Sequence, residues 1–454
     1  MKGEQRGFLG LFVIILSGAL LSGCTLLNLR QESKLLEQVS EITGTVEGEA
    51  AEGKPLVVVL LAIDPARPDR PDKIMTRTIL RRPGNFKFYA GPGTYRVSAF
   101  VDLDESASYQ ANEPVGWHEH PKLITITGGE PITGLTVTLR PPEQVQRLYP
   151  EVHDPAIAAV TDVSKQFKAG VVTSLDDPAF TPENGTLAFW EPIRFLGLQT
   201  AGLYFLEVFD PGKTPVLFIH GAGGQPGEWR SLIESLDRHS FQPWVVFYPS
   251  GLRLDVNRQW LGNTLAKLQL QLGFAQVHVV AHSMGGLVAG GLVTRLQASG
   301  HGDVVATLTT LSTPWGGHEL AATGVANSPA VVPAWYDMVP GSLYQEEVFA
   351  TPWPAHLSYH LFFSHRGGYN VMSGGNTDGV VSLASQLLPA AQERAATLRG
   401  FDEDHTSILR SAAAGRALAR VLAGLQPCDQ HLPAGALASH PPQHGTHIMG
   451  RPQQ

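Results

Sequence analysis

The sequence predicts an α/β protein, a doubly wound and mostly parallel sheet preceded by a small all-β sandwich. Three observations predict it. From residue 214 onward, short apolar β-branched runs alternate with helix-forming segments, the pattern of a parallel sheet covered on both faces. Between 42 and 140, β-rich runs follow one another with no helical stretch between them. And the run at 277–281 enters a tight turn through His282-Ser283-Met284-Gly285-Gly286, from which a helix leaves.

Composition limits what such a chain can be. It has 454 residues, 43% hydrophobic and 16% charged, with a formal net charge of −8. The apolar content is ample for a core, which excludes disorder throughout. One long apolar run excludes a polytopic membrane protein. Net negative charge without a Lys/Arg cluster excludes a general nucleic-acid binder. Two cysteines allow no disulfide framework.

The N-terminus reads as a targeting segment. Lys2 and Arg6 precede an apolar stretch at 8–21, shorter than the roughly 20 residues of a membrane-spanning helix. Leu21-Ser22-Gly23-Cys24 closes it. These residues resemble the lipobox of bacterial lipoproteins. The resemblance implies a signal peptide over 1–23 and a lipid on Cys24, which becomes the mature N-terminus. More than one acyl chain holds a protein on a bilayer where a single chain does not. Thr25 follows the Cys in place of the Asp associated with inner-membrane retention, so the implied location is the cell envelope, at the outer membrane. The alternative is an ordinary signal peptide with an incidental Cys.

Residues 24–40 are polar and helix-prone and read as a tether. Seven strands are predicted next, at 42–48, 54–64, 73–82, 85–90, 93–102, 121–129 and 133–140. Turn residues such as Arg82-Pro83-Gly84-Asn85 and Gly91-Pro92-Gly93 divide them. The pattern resembles transthyretin-like and carboxypeptidase-regulatory-like accessory modules and assigns a β-sandwich to 41–141. Pro141-Pro142 closes the module, and 142–189 reads as a connector.

The α/β domain is assigned to 190–425. Strands are predicted at 214–219, 243–248, 277–281, 304–311 and 369–372, and helices at 261–272 and 285–298. At the elbow, Ala281 and Gly285 flank Ser283 with small residues that let strand and helix approach. The helix N-terminus aims N–H groups and its positive dipole end at developing negative charge. Upstream, an apolar strand runs into Gly221-Ala222-Gly223-Gly224. The N–H groups of Ala222 and Met284 are the candidate oxyanion donors. A phosphate-binding loop is disfavoured, since no G-x-x-x-x-G-K-[ST] is present.

These motifs resemble the α/β-hydrolase fold, in its lipase-like and PGAP1-like branch. There the elbow reads A-H-S-M-G-G, a T-P-x-x-G stretch follows the next strand, and N-D-G-V-V carries the acid. Here Ser312-Thr313-Pro314-Trp315-Gly316-Gly317 and Asn376-Thr377-Asp378-Gly379-Val380-Val381 stand in those places, with Thr377 an insertion. The resemblance implies a triad in the chain order Ser283, Asp378, His405. Asp402 and Asp404 flank His405 but, as sequence neighbours, cannot easily align a carboxylate with its ring. His220 and His282 read as loop buttresses.

An aromatic- and proline-rich insertion at about 318–365 reads either as a hydrophobic lid or as a core-packing insertion. Asp102, Asp104 and Glu113 echo a calcium loop, without its turn glycine; a solvated acidic turn is the alternative. Residues 426–454 read as a disordered tail whose His440, His444 and His447 could bind metal adventitiously. The expected function is a lipid-anchored serine hydrolase cleaving carboxylic esters, lipidic ones above all, with no cofactor. Its partners are the ester substrate and the membrane, reached through Cys24, with no nucleic acid. An acyltransferase using the same triad and a non-catalytic surface-binding lipoprotein are the alternatives.

Overall fold

The computed structural model describes residues 23–49, 51, 53–67, 72–148, 161–162, 167–370 and 375–424. The signal segment before Gly23 and the histidines of the tail lie outside the described residues, and so does the Cys24 side chain. No helix among the described residues is long and apolar enough to cross a membrane.

A helix, α1 (Gly23–Leu36), leads into the all-β module. Its strands are β1 (Ser40–Glu47), β2 (Leu56–Ile63), β3 (Lys73–Leu80), β4 (Asn85–Ala90), β5 (Gly93–Val101), β6 (Val115–Trp117), β7 (Ile124–Ile126) and β8 (Ile132–Thr138). They form one sheet in the order β4-β1-β8 and a second built on β6-β5-β2-β3, with β7 also paired to β5. The short β6 is absent from the predicted set, and three residues are too few to show a period. Strand β4 alternates buried with less buried positions, as a one-sided strand should. Strand β2, LVVVLLAI, does not alternate, and its first six residues are all buried. Leu56, Val58 and Leu60 fill the sandwich core. Val57, Val59 and Leu61 fill a second cluster that includes Ala266 of the α/β domain.

The α/β domain follows α2 (Pro142–Leu148) and β9 (Thr161–Asp162), which pairs with β3. Its first elements are β10 (Lys168–Val172), α3 (Pro182–Trp190), α4 (Pro192–Gly197), β11 (Gly202–Phe205), β12 (Thr214–Ile219), α5 (Arg230–Glu234) and β13 (Phe241–Phe247). Next come α6 (Leu254–Leu272), β14 (Val277–His282), α7 (Met284–Ala298) and β15 (Val305–Leu311). An excursion holds α8 (Glu319–Asn327), α9 (Pro333–Met338) and α10 (Leu343–Ala350). The chain closes through β16 (Ser358–Ser364), β17 (Gly368–Asn370), β18 (Gly375–Thr377), α11 (Leu383–Gln386), α12 (Pro389–Arg394), β19 (Thr397–Phe401) and α13 (Ala412–Leu422). The 8-stranded sheet runs β10-β11-β13-β12-β14-β15-β16-β19. Every pair in it is parallel except β11–β13. This is the doubly wound sheet the sequence predicts. The order reverses beside β12, and the crevice at that switch point is where such sheets bind ligands.

Four expectations need correction. The connector at 142–189 supplies β10, an edge strand of the main sheet. The insertion does not extend to 365, because Ser358–Ser364 is an inner strand of the sheet. Its run SYHLFFS is nearly all buried, and a strand covered on both faces shows no period to separate it from a cap. The strand expected at 369–372 is an arm of the β17–β18 hairpin and not part of the main sheet; residues 371–374 lie outside the described residues. Helix α6 also begins earlier than its pattern suggests. Asn257, Arg258 and Gln259 are polar yet buried, which hides the apolar face of its first turns.

The insertion packs firmly. Asp337 is buried and accepts from the Arg253 guanidinium and from Leu254 N–H at 2.6 Å, at the start of α6. Tyr344 donates to the Leu287 carbonyl of α7 at 3.0 Å. Glycine is required beneath it, since a Cβ at Gly291 would lie 2.1 Å from the Tyr344 hydroxyl. For α9 and α10 these contacts match the core-packing reading.

The β-module is packed as firmly. Thr78 donates to Asn263 Oδ1 at 2.7 Å and accepts from Arg295. Arg81 pairs with Asp303 at 2.7 Å, and Lys87 with Asp255 at 3.2 Å. Pro141-Pro142 therefore marks a boundary along the chain and not a boundary in packing. A chain beginning at residue 175 would lose β10, uncover Ala266 and leave Arg295 without Thr78. Calorimetry should find its melting point far below that of the full chain; an unchanged melting point would show the module to be separable.

Candidate active site

The site begins with a steric constraint at the β14–α7 turn. A Cβ at Gly285 would lie 2.4 Å from the His220 carbonyl oxygen and 2.5 Å from that of Ile219. A Cβ at Gly286 would lie 1.9 Å from Thr313 Oγ1. Helix α7 can therefore reach β12 and the segment after β15 only with glycine at both positions. The turn between them puts Ser283 at φ 53°, ψ −132°. For a residue with a side chain this costs on the order of 1–3 kcal/mol, which the surrounding packing must offset. Ser283 N–H is tied to the Leu311 carbonyl at 2.9 Å.

The loop after β12 closes on the same point. A Cβ at Gly221 would lie 2.9 Å from Ser283 Cβ. Tyr248 donates to the His220 carbonyl at 2.8 Å, and the His220 ring stacks on Tyr248 with centroids 4.5 Å apart. Gly223 N–H is taken by Ser250 Oγ at 3.2 Å. Among the described residues, no backbone carbonyl takes the N–H of Ala222 or of Met284, so both candidate oxyanion donors are uncommitted to the main chain around them.

The three candidate triad residues lie together. His405 Nε2 is 2.9 Å from Ser283 Oγ, and His405 Nδ1 is 2.7 Å from Asp378 Oδ2. In the neutral ring with the proton on Nδ1, Nδ1–H donates to the carboxylate and Nε2 accepts from the hydroxyl. Neither Asp402 nor Asp404 takes this place. The Asp404 carboxylate instead accepts from Thr406 and Ser407 N–H, at 3.1 and 2.8 Å.

Asp378 is fully buried, and all its bonding capacity toward the protein is used. Oδ1 accepts from Val380 N–H at 3.0 Å and Val381 N–H at 2.7 Å. Oδ2 accepts from Ser364 Oγ at 3.0 Å and Gln386 Nε2 at 3.1 Å, besides His405. Burial pushes its pKa up, but the His405 charge and these hydrogen bonds outweigh burial and hold it below the usual carboxylate range. Ser364, Gln386 and Ser312, whose Oγ lies 2.6 Å from Ser364 Oγ, are absent from the predicted site. No local pattern marks them.

His405 is also fixed by its main chain. Its N–H donates to the Asp378 carbonyl at 2.9 Å, and its carbonyl accepts from His282 Nε2 at 2.7 Å. Burial, then the nearby His405, pushes His282 down to about 3, so it is a neutral donor near pH 7. Burial likewise brings His220 to about 4. Glu228, beside the oxyanion loop, is pushed up to about 7 by burial.

The acidic loop of the β-module stands apart from this site. Asp102, Asp104 and Glu113 bring ligand oxygens within 4.8 Å of one another. Asp102 accepts from Ser106 and Ala107 N–H, and Glu113 from Leu103 and Gln110 N–H. The loop's own backbone thus supplies partners for the two buried carboxylates.

No family model and no curated protein matches the chain. Solved structures match the chain over about half of its length. The Bacillus licheniformis lipase BlEst2 in mature form is 21% identical, covering 48% of this chain and 94% of that one, with a TM-score of 0.39. The lin2722 product of Listeria innocua is 14% identical, over 48% and 96%, with a TM-score of 0.38. The naproxen esterase of Bacillus subtilis is 13% identical, over 46% and 84%, with a TM-score of 0.30. The chemistry of this chain is read from its own geometry.

The buried histidines set a pH dependence of stability. Unfolded, His220 and His282 bind protons near pH 6.5; folded, they do so only near 4 and 3. Between those limits these two histidines bind more protons in the unfolded state, so their contribution to stability rises with pH and falls on acidification, while Glu228 contributes in the opposite sense. The melting temperature should drop as pH falls from 6.5 toward 4, and His282→Gln should flatten that slope; an unchanged slope would show that His282 carries a proton in the folded state.

Proposed function

We propose that the protein is a serine hydrolase that cleaves carboxylic esters. One observation carries this reading, the chain of hydrogen bonds from Ser283 through His405 to Asp378 at 2.9 and 2.7 Å. As an ester binds, His405 Nε2 takes the Ser283 proton while Oγ attacks the carbonyl carbon. The carbonyl oxygen gains charge opposite the N–H groups of Ala222 and Met284, at the positive end of α7. His405, now charged, is stabilised by Asp378. It gives its proton to the departing alcohol and leaves an acyl group on Ser283. Water, activated by the same imidazole, then releases the acid and restores Ser283. Asp378 is the ionised partner in this step, its carboxyl held below the usual carboxylate range.

Ser283→Ala should remove ester hydrolysis and labelling by a fluorophosphonate while keeping the melting temperature. Because the three groups act as a unit, His405→Ala should lose nearly as much. Turnover of p-nitrophenyl butyrate by Ser283→Ala at the full rate would end this reading.

We propose further that the enzyme is lipid-anchored in the bacterial envelope and acts on lipidic esters. The support is the basic, apolar and small-residue order of residues 2–24, ending in Cys24. Cys24→Ser should abolish incorporation of labelled palmitate and leave a chain of unprocessed mass. Label retained by that variant would place the lipid elsewhere or refute the anchor.

A further inference from the structure

A lipid on a loose tether would leave a catalytic domain with no fixed attitude toward the bilayer. The chain that follows Cys24 is not loose. Helix α1 is seated on the α/β domain by three side chains. Leu29 is 1% exposed and belongs to the same buried cluster as Trp190 and Trp335. Glu32 is 7% exposed and accepts the N–H groups of Ile193 and Arg194, at 2.9 and 2.8 Å, where α4 starts. Asn28 donates to Glu191 Oε2 at 3.1 Å. Just beyond the other end of α1, Gly129 N–H of the β-module holds the Gln38 carbonyl at 3.1 Å. The helix is therefore held from Asn28 to just past its C-terminal end.

The distances are short. At 1.5 Å per residue, about 6 Å of helix separates Cys24 from Asn28 and about 12 Å separates it from Glu32. Trp190, at the end of α3 beside this seat, meets Trp335 of α9 edge-on with centroids 5.7 Å apart. Next to Trp335, Tyr336 is 46% exposed with the Arg253 guanidinium 5.7 Å from its ring centre. Leu27, on the first turns of α1, is 61% exposed. An exposed Leu, a Tyr and an Arg are the residue types that settle at a lipid–water interface, the Tyr with its ring at headgroup depth.

We infer that α1 is a rigid spacer that seats the α4–α9 face of the catalytic domain on the bilayer, with Leu27 and Tyr336 as the side chains that meet the lipid. The inference rests on the proposed lipid at Cys24. An anchor that fixes orientation, and does not merely raise local concentration, presents one face of the enzyme to esters lying in the same membrane. The exposed face of α9 then reads the interface, while its buried face stays packed.

Two measurements test this on the full lipid-bearing chain in vesicles of phosphatidylethanolamine and phosphatidylglycerol. In the first, a nitrobenzoxadiazole probe is placed on Tyr336→Cys in a Cys428→Ala background, and nitroxide-labelled lipids are added. Strong quenching is expected, against little for the same probe on Asp303→Cys at the β-module contact. In the second, a ten-residue Gly/Ser segment is inserted after Thr25, giving a coil of about 17 Å root-mean-square span. Quenching at 336 and hydrolysis of a vesicle-borne long-chain ester should both fall severalfold, with turnover of soluble p-nitrophenyl butyrate unchanged. If the native-length chain carries palmitate on Cys24 and its probe at 336 is not quenched, the inference is overturned while the anchor stands. Equal vesicle activity with and without the insertion overturns it as well. Absence of palmitate from the native chain overturns the anchor, and this inference with it. An insertion variant that fails to fold, seen by loss of soluble-ester turnover, leaves the quenching of the native-length chain to decide.

Discussion

The approach of α7 to the backbone of β12 is the constraint on which the site depends. Gly285 meets the carbonyls of Ile219 and His220 at distances no Cβ could occupy. That contact fixes where the helix starts, and the turn that delivers the chain there leaves Ser283 at positive φ. The same contact brings the 221–224 loop against the nucleophile. Helix position, loop position and the turn at Ser283 thus share one steric cause, met by three glycines. The backbone strain at Ser283 is offset by a helix buried along most of its length and by a parallel strand on each side of β14.

Beneath Ser283 the design is electrostatic. Removing a carboxylate from water costs several kcal/mol unless its lone pairs are met. Asp378 meets them with two backbone N–H groups, a hydroxyl, an amide and the imidazole. Ser364 and Gln386 therefore act through Asp378 and not on a substrate. Gln386 bonds both to Asp378 and to the Ser364 carbonyl, tying the acid loop to β16. His405 is held at its main-chain N–H, its carbonyl and both ring nitrogens, so the geometry that the proposed reaction needs is already formed. Such preorganisation removes reorganisation from the chemical step.

This contrast explains how much was legible in the sequence. The elbow was legible because its cause is local: small residues on both sides of a Ser, between a β-branched run and a helix, have few other uses. Asp378 and His405 were placed through a motif resemblance and chain order, and the structure brings both to Ser283. Ser312, Ser364 and Gln386 were not legible, since a buried Ser or Gln becomes informative only when a distant carboxylate faces it. Strand β16 was missed because burial on both faces erases period two, and aromatic residues suit a cap as well as a core. The division into units misled for a related reason. The apolar run of β2 announces a strand but does not say that one face belongs to the sandwich and the other to α6. Polar residues at the start of α6 disguise the helix for the same cause, since Arg258 reaches Glu347 of the cap and Gln259 reaches the Lys87 carbonyl of the module.

Those partners have a mechanical consequence. Arg258 is buried between Asp255 of its own helix and Glu347 of α10, with its guanidinium 5.1 Å from the centre of the Tyr344 ring. Asp255 in turn receives Lys87 and Tyr89 from β4. One line of charges therefore runs from the accessory sheet, through α6, to the cap. Swinging α10 outward would strip Arg258 of Glu347 and of the Tyr344 ring together, and breaking a buried pair on one side costs about 3–5 kcal/mol where both charges are dry. Glu347 is half exposed, so the cost here is smaller, yet the Tyr344 hydroxyl would also lose the Leu287 carbonyl inside α7. Helix α9 is held in the same way, by buried Asp337. Helix α8 carries no comparable buried charge: Glu319 accepts from Ser382 at 3.2 Å, and Thr323 and Asn327 bond only to carbonyls of their own helix. If the cap yields to a bulky ester, α8 is the part held by the fewest buried polar contacts, while α9 and α10 stay fixed by theirs.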